Sequence, residues 1–329
     1  MAGLNLGRLR KFLALLLLCL FVAAFFGLLP SGCAPDRENK GSAILYTVTD
    51  AGGAKLDFTA LPQRIVSLSV SLDEVLLATV DSSRIAALSY LADDPLISCA
   101  AAAAKKVPAR VQSGNIEGIL ALQPDLVLAP DYAAQSIAAL RAAHVKVYVS
   151  ATPKNMQDIP LFIRAVALAA GEAAKGEKLA SKTLARMEKV RTLVSSAVPE
   201  NKQLKVLALS FTGPIGMKGT FSDLCRYAGL KNALAGIDIP YEGNLSEEKM
   251  LELDPDIIIT PDWDYYKKGD PEAFRLGILQ NSAYQGLKAV RTGRVASVHA
   301  NYLYSTSQYT AYAVEELAAL AYPELFAGK

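Results

Sequence analysis

Glu117-Gly118-Ile119-Leu120-Ala121-Leu122-Gln123-Pro124-Asp125-Leu126-Val127-Leu128-Ala129-Pro130-Asp131-Tyr132 returns, 131 residues later and without a gap, as Glu248-Lys249-Met250-Leu251-Glu252-Leu253-Asp254-Pro255-Asp256-Ile257-Ile258-Ile259-Thr260-Pro261-Asp262-Trp263. Seven of the sixteen pairs are identical: Glu117/Glu248, Leu120/Leu251, Leu122/Leu253, Pro124/Pro255, Asp125/Asp256, Pro130/Pro261 and Asp131/Asp262. Five more exchange like for like, ending with Tyr132 against Trp263. Each copy reads as a helix, then Pro-Asp, then an aliphatic strand, then Pro-Asp-aromatic. Proline cannot continue a helix interior, so Pro124 and Pro255 mark the turn into each strand. The period is too long, and the copies too few, for a solenoid. Two related α/β lobes account for it.

Outward from the repeat, residues 64–69, 84–88, 126–129 and 145–149 have the aliphatic runs of buried strands and alternate with helical segments. That alternation implies Rossmann-like lobes, each with a largely parallel sheet. Ser71-Leu72-Asp73-Glu74 has the spacing of a capping box at the head of the first helix. The second lobe opens with a strand at 204–209 and closes with a strand at 294–299 and a helix from 306 to 320. Residues 159–198 are rich in Ala, Leu, Lys and Glu with helical periodicity. Gly171 breaks the run, leaving a helix over 172–198 that would be ~40 Å long, positioned as a strut between the lobes. The expected organisation is a signal segment (1–32), a tether and lead-in (33–60), a first lobe (61–153), a helical linker (154–200) and a second lobe (201–329).

The N-terminus has the layout of an export signal. Arg8, Arg10 and Lys11 precede an unbroken apolar run over 12–29, and Pro30-Ser31-Gly32 leads into Cys33. Small residues before a cysteine suit a lipoprotein signal peptidase, which would leave the lipid on Cys33; Pro30 departs from the usual aliphatic residue. An uncleaved membrane anchor is the alternative, since about 20 apolar residues can span a bilayer. In both cases the body is tethered outside the cytoplasm. Of 34 basic and 32 acidic residues, 31 and 32 fall beyond residue 32, so the body has no electrostatic footprint for nucleic acid. Hydrophobic residues make up 52% of the chain, which argues against disorder. Cys99 and Cys225 could pair in an oxidising compartment or stay as buried thiols.

Catalytic signatures are scarce: there is no Gly-x-Ser-x-Gly elbow and no His-Glu-x-x-His. His144 and His299 are the only histidines, which excludes a metal site built from several imidazoles. The glycines over 213–220 lack the Gly-Lys-Ser/Thr ending of a phosphate loop and read as a turn between strand and helix, or as a loop whose backbone approaches a ligand. Aromatic residues cluster where strands should end, among them Tyr90, Tyr132, Phe211, Tyr241, Trp263, Tyr302 and Tyr304. Ligands of open α/β sheets bind beyond the carboxyl ends of strands, so these side chains are either core or one wall of a site for a bulky, flat ligand. Glu117 and Glu248 each follow a candidate cap, Asn115 or Ser246, by two residues. They serve the helix dipole or form a matched pair of exposed carboxylates, one per lobe, for a basic partner.

Residues 64–68, the segment 115–127, Gly219-Thr220-Phe221, Ala228-Gly229-Leu230-Lys231-Asn232 and the closing Tyr322-Pro323-Glu324-Leu325-Phe326 resemble the substrate-binding proteins of iron-complex and cobalamin ABC importers, in that family's order and over most of residues 61–326. The resemblance implies two lobes joined by one long α-helix with a ligand cleft between them. It puts the ligand near Ser69, Ser71, Tyr90, Tyr132, Phe211, Tyr241, Trp263 and Tyr302. It also implies that Glu117 and Glu248 dock onto arginines of an ABC permease dimer that works with its ATPase subunits. No resident cofactor is implied; the cargo would be an iron or cobalt chelate, with a ferric siderophore first, then cobalamin, then haem, for which His299 or Met217 would be axial-ligand candidates. The protein would act as a lipid-anchored monomer and not as an enzyme. A bilobal enzyme, or a lipoprotein scaffold or adhesin without a chelate, remains the alternative.

Overall fold

The computed structural model describes residues 43–216, 220–237, 245–264 and 269–327. Cys33, Met217, Tyr241 and the signal segment lie outside the described residues. Residues Ile44–Lys329 form one compact unit. Its principal elements begin with a hairpin, β1 (Tyr46–Thr49) and β2 (Lys55–Phe58), followed by β3 (Ile65–Ser67), α1 (Val70–Thr79), β4 (Ile85–Ser89), β5 (Ala109–Val111), α2 (Ile116–Ala121), β6 (Leu126–Pro130), α3 (Ala134–Ala142) and β7 (Val147–Ser150). Two helices follow, α4 (Asp158–Ala169) and α5 (Ala173–Ala197). The second half contains β8 (Lys205–Ser210), β9 (Gly213–Ile215), α6 (Phe221–Tyr227), β10 (Lys231–Asn232), α7 (Glu247–Leu253), β11 (Ile257–Thr260), α8 (Pro271–Gln280), β12 (Val295–Ser297), α9 (Ala300–Leu303) and α10 (Thr310–Ala321).

The first sheet has the order β5-β4-β3-β6-β7, with every pairing parallel. The second has the order β10-β8-β11-β12, also parallel, with β9 folded back antiparallel on β8. Parallel strands covered on both faces must be apolar on both faces. Accordingly Ile65, Val66, Leu126, Val127, Leu128 and Ala129 are all fully buried. Each of the larger ones contributes roughly 1.5–3 kcal/mol over an exposed position. The same holds for Val206, Leu207, Ala208 and Ile258 in the second sheet.

The repeat maps onto equivalent places in the two lobes, and its identical residues have matching duties. Gln123 and Asp254, at the same position of the repeat, both take a left-handed backbone (φ 49° and 38°) that ends the helix before Pro-Asp. Asp125 then accepts the amides of Gln63 and Arg64 at 2.6 and 2.9 Å, just ahead of β3. Asp256 likewise accepts the amide of Lys205 at 2.8 Å, at the start of β8. At the other end Asp131 binds the hydroxyl and amide of Thr152 beyond β7, and Asp262 binds the amide of Ala300 beyond β12. Each Pro-Asp pair therefore ties its strand to a neighbour, one at the amino end and one at the carboxyl end.

At 25 residues α5 spans about 38 Å. Ala180 belongs to the core of the first lobe, whereas Met187, Val190 and Val194 belong to the core of the second. A Cβ on Gly176 would stand 2.4 Å from that of Ala167, so the glycine lets α5 lie close on α4. Arg84 pins this junction to the first lobe, reaching the carbonyls of Pro62 (2.8 Å) and Ala170 (2.6 Å) and the carboxylate of Glu172 (2.6 Å).

Three expectations are corrected. Residues 46–58 are not lead-in: β1 and β2 bury Val48, Leu56 and Phe58 in the core of the first lobe. Their turn is held by Asp50, which accepts from Gly52 and Ala54, and Asp50 also pairs with Arg141 of α3. The capping box at Ser71 does not form. Helix α1 starts two residues earlier, at Val70 after the cap Ser69, and Asp73 and Glu74 point into the interior. The last helix begins at Thr310 rather than 306, because residues 305–308 are committed to contacts with the first lobe.

Candidate functional site

In a doubly wound sheet the connections leave in opposite directions from two adjacent strands, and a crevice opens beyond their carboxyl ends. In the first lobe these strands are β3 and β6, which deliver Ser69 and Ser71 on one side and Tyr132 on the other. In the second they are β8 and β11, which deliver Phe211 and Trp263. A pocket of about 160 Å³ lies between the lobes at this level, lined by Ser71, Glu74, Trp263, Asn301, Tyr304 and Ser305 together with apolar residues such as Leu96 and Ile97. A larger hollow of about 360 Å³, lined by Tyr148, Pro153, Leu161 and Phe162, opens on the edge strand β7 and not at a switch point.

The candidate residues separate into groups. Ser71 and Trp263 line the pocket between the lobes. Tyr132 is 72% exposed and Tyr90 48%, both just beyond strand ends on the first lobe. Ser69 caps α1 through its backbone and is half-buried. Phe211 packs edge-on against Phe274, with ring centroids 5.2 Å apart. Tyr302 does not line the pocket; it stacks on Tyr312 at 5.4 Å and packs against the core of the second lobe. His299 is exposed, and its Nδ1 lies 2.6 Å from Glu316 Oε1. Arg110 is committed to Asp93 and to the carbonyls of Ala104, Val107 and Ala109. Cys99 and Cys225 are free thiols, one at the lobe junction and one in the second core. Among the described residues no three His, Cys, Asp or Glu side chains are grouped to hold a metal.

Sequence reading missed the seam beneath the cleft. Ser71 Oγ and Thr306 Oγ1 are 2.6 Å apart. Ser307 Oγ donates to Glu74 Oε2 at 2.6 Å, and Gln308 Nε2 donates to the Glu74 carbonyl at 2.9 Å. Asn301 Nδ2 donates to the Pro95 carbonyl, while Cys99 Sγ donates to the Asn301 carbonyl. Two acids of α1 are buried here. Asp73 accepts from the Ser89 amide and hydroxyl; burial pushes it up to about 7 against the pull of Ser67 and Ser89. Burial likewise pushes Glu74 up to about 7 against the bonds from Ser307 and Cys99. The only hint in the sequence was an acid pair where the apolar face of a helix should begin.

Glu117 and Glu248 occupy the first turns of α2 and α7. Asn115 caps the one by accepting from the Gly118 amide at 3.0 Å, and Ser246 caps the other by accepting from Lys249 at 3.2 Å. Both glutamates are exposed, and neither has an ion-pair or hydrogen-bond partner among the described residues. Glu247, its exposed neighbour, accepts from Asn281 Nδ2 at 3.1 Å. The free carboxylates are therefore Glu117 and Glu248.

This geometry has relatives. An uncharacterized ABC transporter substrate-binding lipoprotein of Bacillus subtilis (YvrC) is 23% identical over 314 residues, covering 90% of this chain and 94% of its own. The vitamin B12-binding protein of Vibrio cholerae serotype O1 is 26% identical over 263 residues, covering 78% and 87%. Among solved structures, the periplasmic heme-binding protein RhuT from Roseiflexus sp. RS-1 superposes with a TM-score of 0.66 at 25% identity, covering 80% of this chain and 99% of that one. The family model described as periplasmic binding protein matches residues 65–302. With that match and two parallel-sheet lobes bridged by α5, the chain belongs to the periplasmic binding protein family, as a class III member.

Proposed function

We propose that the protein is the extracytoplasmic capture component of an ABC importer, that it binds a macrocyclic metal chelate, and that a corrinoid is the first candidate. The observation that carries this reading is the pocket between the two switch points, with Trp263 and Tyr304 on one side and the exposed rings of Tyr90 and Tyr132 beyond the strand ends of the other lobe. Aromatic walls suit a bulky, flat, partly apolar ligand. The vitamin B12-binding relative in Vibrio cholerae supports the same cargo class.

Charge separates the cargoes. A ferric siderophore is the first expectation from sequence; its catecholate members carry several negative charges and call for cations around them. Among the described residues the pocket offers a carboxylate, Glu74, and no lysine or arginine. Haem is the second reading, favoured by the two exposed tyrosines as oxygen ligands and by the likeness to RhuT. In this reading Glu117 and Glu248 meet cations on the two permease subunits, lipid on Cys33 holds the protein at the membrane, and Ser69 and Phe211 support the cleft without touching cargo. Class III lobes bridged by a single helix close little on binding.

The test is a titration of the purified chain with cyanocobalamin, haemin and a ferric catecholate, followed through Trp263 fluorescence and confirmed by calorimetry. Saturable one-to-one binding of cyanocobalamin is expected. Binding of the catecholate alone would overturn the charge argument, and binding of none would overturn the chelate reading.

A further inference from the structure

Among the described residues Glu74 is the one ionisable side chain that lines the pocket between the lobes, apart from the phenol of Tyr304. It is 1% exposed. Its oxygens accept from the Cys99 amide at 2.8 Å and from Ser307 Oγ at 2.6 Å, with Ser305 Oγ at 3.4 Å. The other titratable groups around it are Asp73 on its own helix, the Cys99 thiol from the segment after β4, and the phenol of Tyr309 from the second lobe. Helices α4 and α5 pack on α1 as well, yet no charged group from either is bonded to Glu74 among the described residues. A buried carboxylate without a cation is expensive in its charged form.

The seam is also short of hydrogen-bond donors. Asn301 Oδ1 and Gln308 Oε1 are buried there without a partner among the described residues. The pocket has room for about five waters by volume. Leu96 and Ile97 line it together with the polar side chains of Ser71, Asn301 and Ser305. That mixture matches an uncharged polar arm, whereas a carboxylate arm would face Glu74.

Resting on the chelate-capture reading, we infer that this pocket is a cargo subsite for an uncharged arm such as a carboxamide, and that sealing it makes Glu74 take up a proton from solvent. Cargo over the pocket removes the remaining water beside Glu74, which disfavours the charged form further. Glu74 already stands at about 7 in the empty protein. If cargo made Glu74 a tenfold weaker acid, binding would tighten roughly fivefold between pH 8 and pH 6, with uptake of about half a proton per cargo at pH 7.5. The corrin periphery carries carboxamide arms, whereas haem carries propionates, so the subsite separates the two macrocycles.

The experiment is calorimetric titration of the full chain in detergent with cyanocobalamin, which does not itself titrate near pH 7. It is run at pH 7.5 in phosphate and in Tris, whose ionisation enthalpies differ widely. Expected is a buffer-dependent enthalpy corresponding to uptake of about half a proton, absent in Glu74→Gln. Cyanocobalamin derivatives with one carboxamide hydrolysed to carboxylate form the second arm; at least one should bind roughly tenfold more weakly than its parent. Binding with the same enthalpy in both buffers, or uptake that persists in Glu74→Gln, overturns the inference and leaves the cargo reading intact. Failure of the wild-type chain to bind cyanocobalamin overturns both. The wild-type measurement stands whether or not Glu74→Gln folds.

Discussion

Reversing Glu117 and Glu248 tests the docking surface against the simpler view that both acids serve only their helices. Each lies in the first turn of a short capped helix and is exposed, without a partner among the described residues. The interaction with the helix end is worth ~0.3–1 kcal/mol, so Glu117→Lys or Glu248→Lys should cost about 1 kcal/mol each. The double variant should then melt about 4–8 °C lower, because a body of this size loses ~2–4 °C per kcal/mol. That leaves it folded. If the carboxylates meet cations on the permease, removing one partner of each pair costs ~2–5 kcal/mol, or at least roughly 30-fold in docking affinity per site. Glu247→Lys is the internal control: it breaks one exposed bond to Asn281 and should leave transport within about threefold. The assay is cargo uptake by proteoliposomes containing the partner permease and ATPase, beside solution affinity for the same cargo. Uptake should collapse in the double variant while affinity holds. Unchanged uptake in the double variant would refute the docking assignment and return both acids to a helix-capping role.

Gly229 has φ 70°, and a Cβ there would stand 2.3 Å from Val194 Cγ1 on α5. Gly229→Ala should therefore lose about 2–4 kcal/mol and melt roughly 10 °C lower, as read by circular dichroism. Burial favours the protonated form of Asp73 up to about pH 7. Its stabilising contribution is thus fully present below the ordinary carboxylate range and is lost as pH rises through 7. The wild-type melting temperature should fall between pH 5 and pH 8, and Asp73→Asn should flatten that fall; an unchanged slope would refute the assignment. Burial also pushes the thiols of Cys99 and Cys225 well up. Peptide mass spectrometry after alkylation near neutral pH should find both unmodified in the native protein and modified after unfolding.

Much of the architecture was legible because it is written twice. The repeat gave two lobes, and its Pro-Asp pairs gave the ends of β6 and β11, since a proline and a carboxylate at a strand end act through local geometry that leaves a sequence signature. The caps Asn115 and Ser246 were legible for the same reason. The strut was legible within a residue at each end, because a long amphipathic helix repeats its signal over many turns. The hairpin over 46–58 was less visible: its alternation is brief, and only the Asp50-x-Gly52-Gly53 turn marked it.

Tertiary structure alone decided what the cleft is made of. Ser71 meets Thr306, and Glu74 meets Ser307, across more than 230 residues of chain. No periodicity encodes such a meeting, because it depends on where two separately folded lobes come to rest. For that reason Ser71-x-x-Glu74 resembled a local capping box although each side chain had a distant partner. Tyr302, which the resemblance put near the ligand, stacks on Tyr312, a contact that the sequence does not show. The sequence determined that there would be two lobes with matched carboxylates at corresponding helix starts. Only the packing of one lobe on the other decided that a buried carboxyl, with no cation bonded to it among the described residues, would line the pocket, since burial and charge surroundings are properties of a neighbourhood and not of a residue.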